Sequence, residues 1–265
     1  MQQKWWQQLH WKEYTAELLG TAIMIFVGLS AVVFNMSENL PMVKLLPDRS
    51  LRLLLTGTIF AGSGSLVAIS PLGKLSGGHI NPSVSLAFWL QGKMHRHDFI
   101  AYVIAQFIGA IAGEALLITV WGRYAQSINN GITLPGQGYA LWYVFLAEVL
   151  ITFLLVLLIF IFVSSKTLMR WTPLMTWIVV AIMVWRESPI SGTSLNPARS
   201  FAPALLSGVW QDQWLYAIAP PLGAAAGVIG FRLLTFGEGK ILTGKLFHVP
   251  HYRCIFKNVT VRHTR

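Results

Sequence analysis

The chain has 265 residues, is 54% hydrophobic and 11% charged, contains 11 Trp and 15 Phe, and carries a formal net charge of +10. That much apolar surface exceeds what a single soluble core can hide, so the bilayer is its natural solvent. The basic residues fall between and beyond the apolar runs, a placement that argues for membrane topology and against a nucleic-acid-binding face.

In chain order, a short polar start with Lys4, Trp5, Trp6 and Trp11 leads directly into the first span, with no cleavable signal evident, and its tryptophans read as an interfacial belt. Six apolar runs are long enough to cross about 30 Å of hydrocarbon. They extend from Tyr14 to Phe34, Leu51 to Ile69, Phe99 to Trp121, Leu141 to Val163, Leu168 to Trp185 and Trp214 to Phe236. Two further apolar stretches, Ser83 to Leu90 and Ala198 to Leu206, are too short to span and follow Gly-containing backbone, which predicts re-entrant segments. From Gly237 onward the chain is a basic, polar tail, expected to contact anionic lipid or to stay mobile. The lone cysteine, Cys254, excludes an internal disulfide or a cysteine-based metal cluster. Sequons at Asn35-Met36-Ser37 and Asn258-Val259-Thr260 abut a span end and lie in the tail, and neither is expected to be used. With both termini cytoplasmic, Lys and Arg divide 14 inside to 6 outside, which supports that orientation, although the tail supplies six of the fourteen.

The organisation is a duplication. Ala16-Glu17-Leu18-Leu19-Gly20-Thr21 reappears as Ala147-Glu148-Val149-Leu150-Ile151-Thr152. Ser76-Gly77-Gly78-His79-Ile80-Asn81-Pro82-Ser83 reappears as Ser191-Gly192-Thr193-Ser194-Leu195-Asn196-Pro197-Ala198. Ile104-Ala105-Gln106-Phe107-Ile108-Gly109-Ala110 matches Ile218-Ala219-Pro220-Pro221-Leu222-Gly223-Ala224. Each copy holds three spans, and an odd number makes the second copy enter from the opposite face. The expected fold is an all-α membrane protein of six transmembrane helices plus two re-entrant half-helices in inverted repeats. It forms one channel domain over residues 1–236, with repeats at about 11–123 and 141–236, followed by a tail at 237–265.

Asn is a favoured helix N-cap and Pro loses no needed hydrogen bond at the first helical position, so Asn81-Pro82 and Asn196-Pro197 each start a half-helix. Loop backbone before them, residues 70–81 and 188–196, must line a wet cavity or be buried in protein, and a cavity is expected. Two helix N-termini, each about half a positive charge, then face one another and repel cations.

With these motifs the chain resembles the aquaporin, or major intrinsic protein, family over about Trp11 to Phe236. Asn196-Pro197-Ala198-Arg199-Ser200 fits the family motif, and Asn81-Pro82-Ser83 departs from its usual Asn-Pro-Ala. The resemblance implies that the amides of Asn81 and Asn196 donate to a passing oxygen and break proton-conducting hydrogen-bond chains. It implies that carbonyls around Gly77, Gly78, His79 and Ile80, and from Thr193 through Ser194 to Leu195, form an acceptor ladder. Arg199 becomes the cation of a four-membered filter, whose other members, aligned without gaps, are Ala61, Val184 and Thr193. A one-residue insertion around Pro71-Leu72-Gly73 would substitute Phe60 for Ala61. No His stands at 184, which resembles members passing glycerol, urea or boric acid. Glu17 and Glu148 are implied to hold the loops by accepting their backbone hydrogen bonds. His79 reads as a satisfied loop residue rather than a pH gate, and Gln106 and Glu114 as inter-helix hydrogen-bonding groups. Gly109/Gly113 and Gly223/Gly227 allow close helix approach.

The expected function is passive conduction of water and small uncharged solutes with exclusion of protons and ions. A water-selective channel is the alternative, and an ion-coupled transporter is a weaker rival whose coupling groups would be Glu17, Glu148 or Glu114. The spans carry no His-Glu-x-x-His pair, cysteine nucleophile or paired acidic motif, so no enzyme is expected. No cofactor, metal or nucleic acid is expected either. The partners are the bilayer, water and neutral solutes, with a homotetramer implied by resemblance. The location is a plasma or bacterial inner membrane.

Overall fold

The computed structural model describes residues 9–237 and 239–256. Trp5, Trp6 and the second sequon at Asn258 therefore lie outside the described residues. Eleven α-helices are described: α1 (Trp11–Met36), α2 (Met42–Leu45), α3 (Arg49–Ile69), α4 (Pro71–Ser76), α5 (Pro82–Leu90), α6 (Arg96–Trp121), α7 (Arg123–Gln126), α8 (Leu141–Val163), α9 (Thr172–Ser191), α10 (Pro197–Ser207) and α11 (Gln213–Leu234). Six of them, α1, α3, α6, α8, α9 and α11, are long and apolar enough to cross a membrane. At 1.5 Å per residue their 20 to 26 residues measure about 30–39 Å, enough for the hydrocarbon layer. Leu146, Leu150 and Ile104 stay more than half exposed on outward faces, as lipid contact permits. The fifth span differs from its sequence-based bounds. It begins at Thr172 after a 3-10 turn and runs six residues past Trp185, carrying Pro189 inside it.

The repeat orders the packing. Helix α1 packs along α6 as α8 packs along α11, and α3 meets α9 across the junction of the halves. The small-residue pairs make the first two contacts close. A Cβ on Gly109 would lie 2.2 Å from the Leu18 carbonyl oxygen, and one on Gly223 would lie 2.4 Å from that of Val149, the repeat-equivalent residue. Each half-helix packs on a span of the other repeat, α5 on α11 and α10 on α6. Their 9 and 11 residues span about 14 and 16 Å, so end to end they equal one membrane thickness. Asn35 is buried and donates from Nδ2 to Thr56 Oγ1 at 3.0 Å, which removes the first sequon from any glycan.

Residues 239–256, expected as part of a polar tail, pack instead against the ends of α3, α4 and α8. Ile241, Leu246 and Phe256 are buried there, and the Leu242 amide donates to the Val163 carbonyl at 3.0 Å.

Candidate functional site

Both Asn-Pro helix starts form as their chemistry dictates. Asn81 is extended at φ −156° and its Oδ1 accepts from the Ser83 amide at 2.8 Å. Asn196, at φ −146°, accepts from the amides of Ala198 at 3.0 Å and Arg199 at 3.4 Å. Pro82 and Pro197 occupy the first helical positions. Each amide nitrogen then crosses to the opposite loop. Asn81 Nδ2 donates to the Leu195 carbonyl at 2.9 Å, and Asn196 Nδ2 to the Ile80 carbonyl at 3.0 Å. A primary amide has two N–H groups, so each asparagine keeps one for the cavity it lines.

Buried carboxylates hold the loops in matched fashion. Glu17 accepts from Ser76 Oγ (2.7 Å), the amides of His79 (3.0 Å) and Ile80 (2.6 Å), and Gln106 Nε2 (2.8 Å). Glu148 accepts from Ser191 Oγ (2.5 Å) and the amides of Ser194 (2.6 Å) and Leu195 (3.0 Å). The Tyr102 and Tyr216 hydroxyls donate to the carbonyls of Ser76 and Ser191, a third matched pair. A loop whose amides point at a carboxylate turns its carbonyls the other way, and Ile80 and Leu195 accordingly take left-handed backbone at φ 43° and 56°. The loops differ where Gly78 (φ 67°) is replaced by Thr193 (φ 53°), a side chain held in the region that favours glycine.

A cavity of about 380 Å³ passes both asparagines and is lined by Gly78, His79, Ile80, Thr193, Ser194, Val184 and Arg199 among others. Three members of the expected ladder are already occupied as acceptors: Gly77 O takes the Leu246 amide at 2.9 Å, Leu195 O takes Asn81 Nδ2, and Ile80 O takes Asn196 Nδ2. Gly77 does not line the cavity. Ser83 is fully buried and also outside the lining, so its hydroxyl does not reach the cavity. Phe60 and Ala61 both line it. The Phe60 ring is brought against Arg199, its centroid 5.6 Å from the guanidinium carbon. Gly28 makes room for that ring, since a Cβ there would sit 2.6 Å from it.

Arg199 is 7% exposed and needs acceptors. They come from the connection between the repeats: Nη1 donates to the Gly131 carbonyl (3.0 Å) and to Thr133 Oγ1 (2.6 Å). Gln213 Nε2 fixes that connection through the Thr133 carbonyl at 2.8 Å. Thr193 Oγ1 donates to Glu187 Oε2 at 2.5 Å, which turns its hydroxyl toward α9. None of Gly131, Thr133, Gln213 or Glu187 stands out in the sequence; the one general signal is that a buried arginine must find acceptors somewhere.

His79 is buried and doubly bonded. Gln106 Nε2 donates to Ser85 Oγ (2.9 Å), which leaves the Ser85 proton for His79 Nδ1 (3.1 Å), while His79 Nε2 donates to the Gly244 carbonyl (2.8 Å). That set fits a neutral imidazole protonated at Nε2. Gln106 thus makes the inter-helix bonds expected of it. Glu114 does not: both its buried oxygens lack a hydrogen-bond partner among the described residues.

Fold and cavity together define a polytopic membrane channel of the inverted-repeat, two-half-helix class. The model of the family described as major intrinsic protein matches residues 4–231, and the chain belongs to that family of membrane channels. It is 30% identical over 222 residues to aquaporin NIP1-1 of Zea mays, covering 83% of this chain and 74% of that one. It is 32% identical over 234 residues to the probable aquaporin AqpM of Archaeoglobus fulgidus, covering 81% and 93%. The fold is shared with the aquaglyceroporin of Plasmodium falciparum at a TM-score of 0.71 and 20% identity, covering 84% of this chain and 96% of that one.

Proposed function

We propose that this channel passively conducts water and small uncharged solutes, with glycerol, urea and boric acid as candidates, and excludes protons and ions. The observation that carries this reading is the pairing of the two half-helix starts, where Asn81 and Asn196 bond each other's loops and each retains one N–H for the cavity. An oxygen held there by two donors can only accept, so it cannot relay a proton along a water file. The facing N-terminal dipoles and the Arg199 guanidinium add positive potential that repels cations.

We assign the filter to Phe60, Val184, Thr193 and Arg199, with Ala61 beside it. The Phe60 ring on Arg199 supports taking Phe60 as the wall. Val184 supports a bore wider than one with a histidine there. Glu17 and Glu148 are read as loop anchors rather than coupling groups, since loop amides and hydroxyls already occupy their oxygens. The same reading places both termini on the cytoplasmic side of a plasma or bacterial inner membrane and assembles the chain as a homotetramer with one pore per subunit.

Stopped-flow light scattering on proteoliposomes tests it. Water and glycerol shrink–swell rates above those of protein-free vesicles, following the solute gradient alone, support conduction. Solute accumulation driven by an ion gradient would replace the channel with a transporter.

A further inference from the structure

The C-terminal segment reaches the pore. Leu246 lines the same cavity as the two asparagines, beside Ala68, His79, Leu155 and Ile159, and is 7% exposed. Its position is fixed by backbone rather than by chance packing. The Leu246 amide donates to Gly77 O at 2.9 Å in the first re-entrant loop, and four residues earlier the Leu242 amide donates to Val163 O at the end of α8. Between them the Gly244 carbonyl accepts from His79 Nε2. Lys245 is fully buried, and its ammonium donates to the carbonyls of Lys74 (2.5 Å) and Arg253 (2.6 Å), tying α4 to the segment. Gly244 and Gly77 leave space for the Phe256 ring, which a Cβ would meet at 2.5 and 3.0 Å respectively.

The second mouth is built differently. There the connection between the repeats supplies Gly131 and Thr133, whose oxygens hold Arg199, so polar groups and a cation guard that end. At the first mouth the chain's own C-terminal segment supplies an aliphatic side chain to the wall. A leucine offers no hydrogen bond to a passing solute and acts only through its volume and its reluctance to be wetted.

We propose that Leu246 is a specificity-determining residue, forming an apolar size filter at the mouth nearest the first half-helix, in series with the Arg199 filter. This rests on the conduction reading above. If it holds, the volume at position 246 sets how readily bulkier neutral solutes pass, while water is little affected.

The test uses full-length protein in proteoliposomes, with water and glycerol rates measured for wild type, Leu246→Ala, Leu246→Trp and, as a folding control, Leu246→Met. The glycerol-to-water ratio is expected to rise about twofold or more for Leu246→Ala and to fall by a similar factor for Leu246→Trp, with Leu246→Met near wild type. A residue that merely anchors the segment would move the ratio in the same direction for Ala and Trp, or not at all; either result overturns the proposal. Hydrogen exchange separates the two readings. Slow exchange at the Leu242 and Leu246 amides in conducting wild-type protein supports a docked segment, and fast exchange there overturns the filter while leaving conduction intact. Wild-type vesicles that pass neither water nor glycerol, with those amides protected, would overturn the conduction reading and the filter role with it.

Discussion

Phe60→Ala separates the two registers of the first half of the filter. The ring lies 5.6 Å from the Arg199 guanidinium and fills the space left by Gly28, so its removal opens the cavity at the level of the arginine. Forcing extra heavy atoms through a filled space costs about 1–3 kcal/mol in packed protein. If glycerol meets that cost at the ring, its removal speeds glycerol by about 5- to 160-fold at 1.36 kcal/mol per decade. Water, the smaller solute, should change less. The ring also holds the guanidinium by about 0.5–2 kcal/mol, but Gly131 and Thr133 keep Arg199 in place without it. The assay is stopped-flow scattering with water, urea and glycerol gradients on equal amounts of reconstituted protein, with Ala61→Ser as the companion variant. Phe60→Ala should raise the glycerol-to-water ratio and Ala61→Ser should leave it alone. A ratio unmoved by Phe60→Ala, or moved only by Ala61→Ser, refutes the reasoning and restores the ungapped register.

Val184→His places an imidazole in the cavity that Arg199 also lines and should depress glycerol flux by about fivefold or more relative to water, by the same conversion of steric cost to rate; an unchanged ratio means that residue 184 does not set the bore. Glu148→Gln keeps the shape but turns an amide donor toward the Ser194 or Leu195 amide, losing at least one charge-assisted bond worth about 1.5–3 kcal/mol. Its melting temperature in nanodiscs should fall clearly below that of Glu114→Gln, whose parent carboxylate bonds nothing among the described residues, and equal melting would show that the loop does not depend on the anchor. Lys245→Met orphans the carbonyls of Lys74 and Arg253 at about 1–3 kcal/mol each. Burial lowers the Lys245 pKa, so the desolvation that opposes the docked ammonium is relieved in the variant and offsets part of that loss. A net cost near 1.4 kcal/mol corresponds to about tenfold faster amide exchange at Leu242 and Leu246, read by mass spectrometry, and unchanged exchange would show the lysine to be dispensable.

Where the sequence was legible, duplication made it so. Asn81 and Asn196, Glu17 and Glu148, and the Gly109 and Gly223 contacts each occur twice in matched surroundings, and each lands in matched geometry. Legibility stops where the repeats diverge. The first repeat inserts α4 between its second span and its re-entrant loop, capped by Ser70 and closed by Gly77 at φ 101°, whereas α9 runs unbroken to Ser191. No composition rule gives the phase change across α4, so counting back from Asn81 could not choose between Phe60 and Ala61. Glu187 was missed for a related reason: the apolar run ends at Trp185, and nothing signals that the helix continues past it through Pro189.

The groups that complete each mouth are those that the repeat does not encode. Thr133 reaches Arg199 across 66 residues and Leu246 reaches Gly77 across 169, both through connections outside the duplicated spans. Inside the spans, twofold pairing fixes a central barrier that is nearly symmetric, with the same donors on both loops. Neither asparagine can then favour one solute over another by its own geometry, since each presents the same single N–H. On the proposed reading, discrimination falls to the unmatched groups: Phe60 with Arg199 toward one end, and Leu246 toward the other. On that same reading, the duplicated core sets what every solute must be, neutral and able to accept a hydrogen bond, and the unmatched side chains at 60 and 246 set how large it can be. Exchanging the two loops' matched residues should leave the solute order unchanged, while single substitutions at 60 or 246 should reorder it.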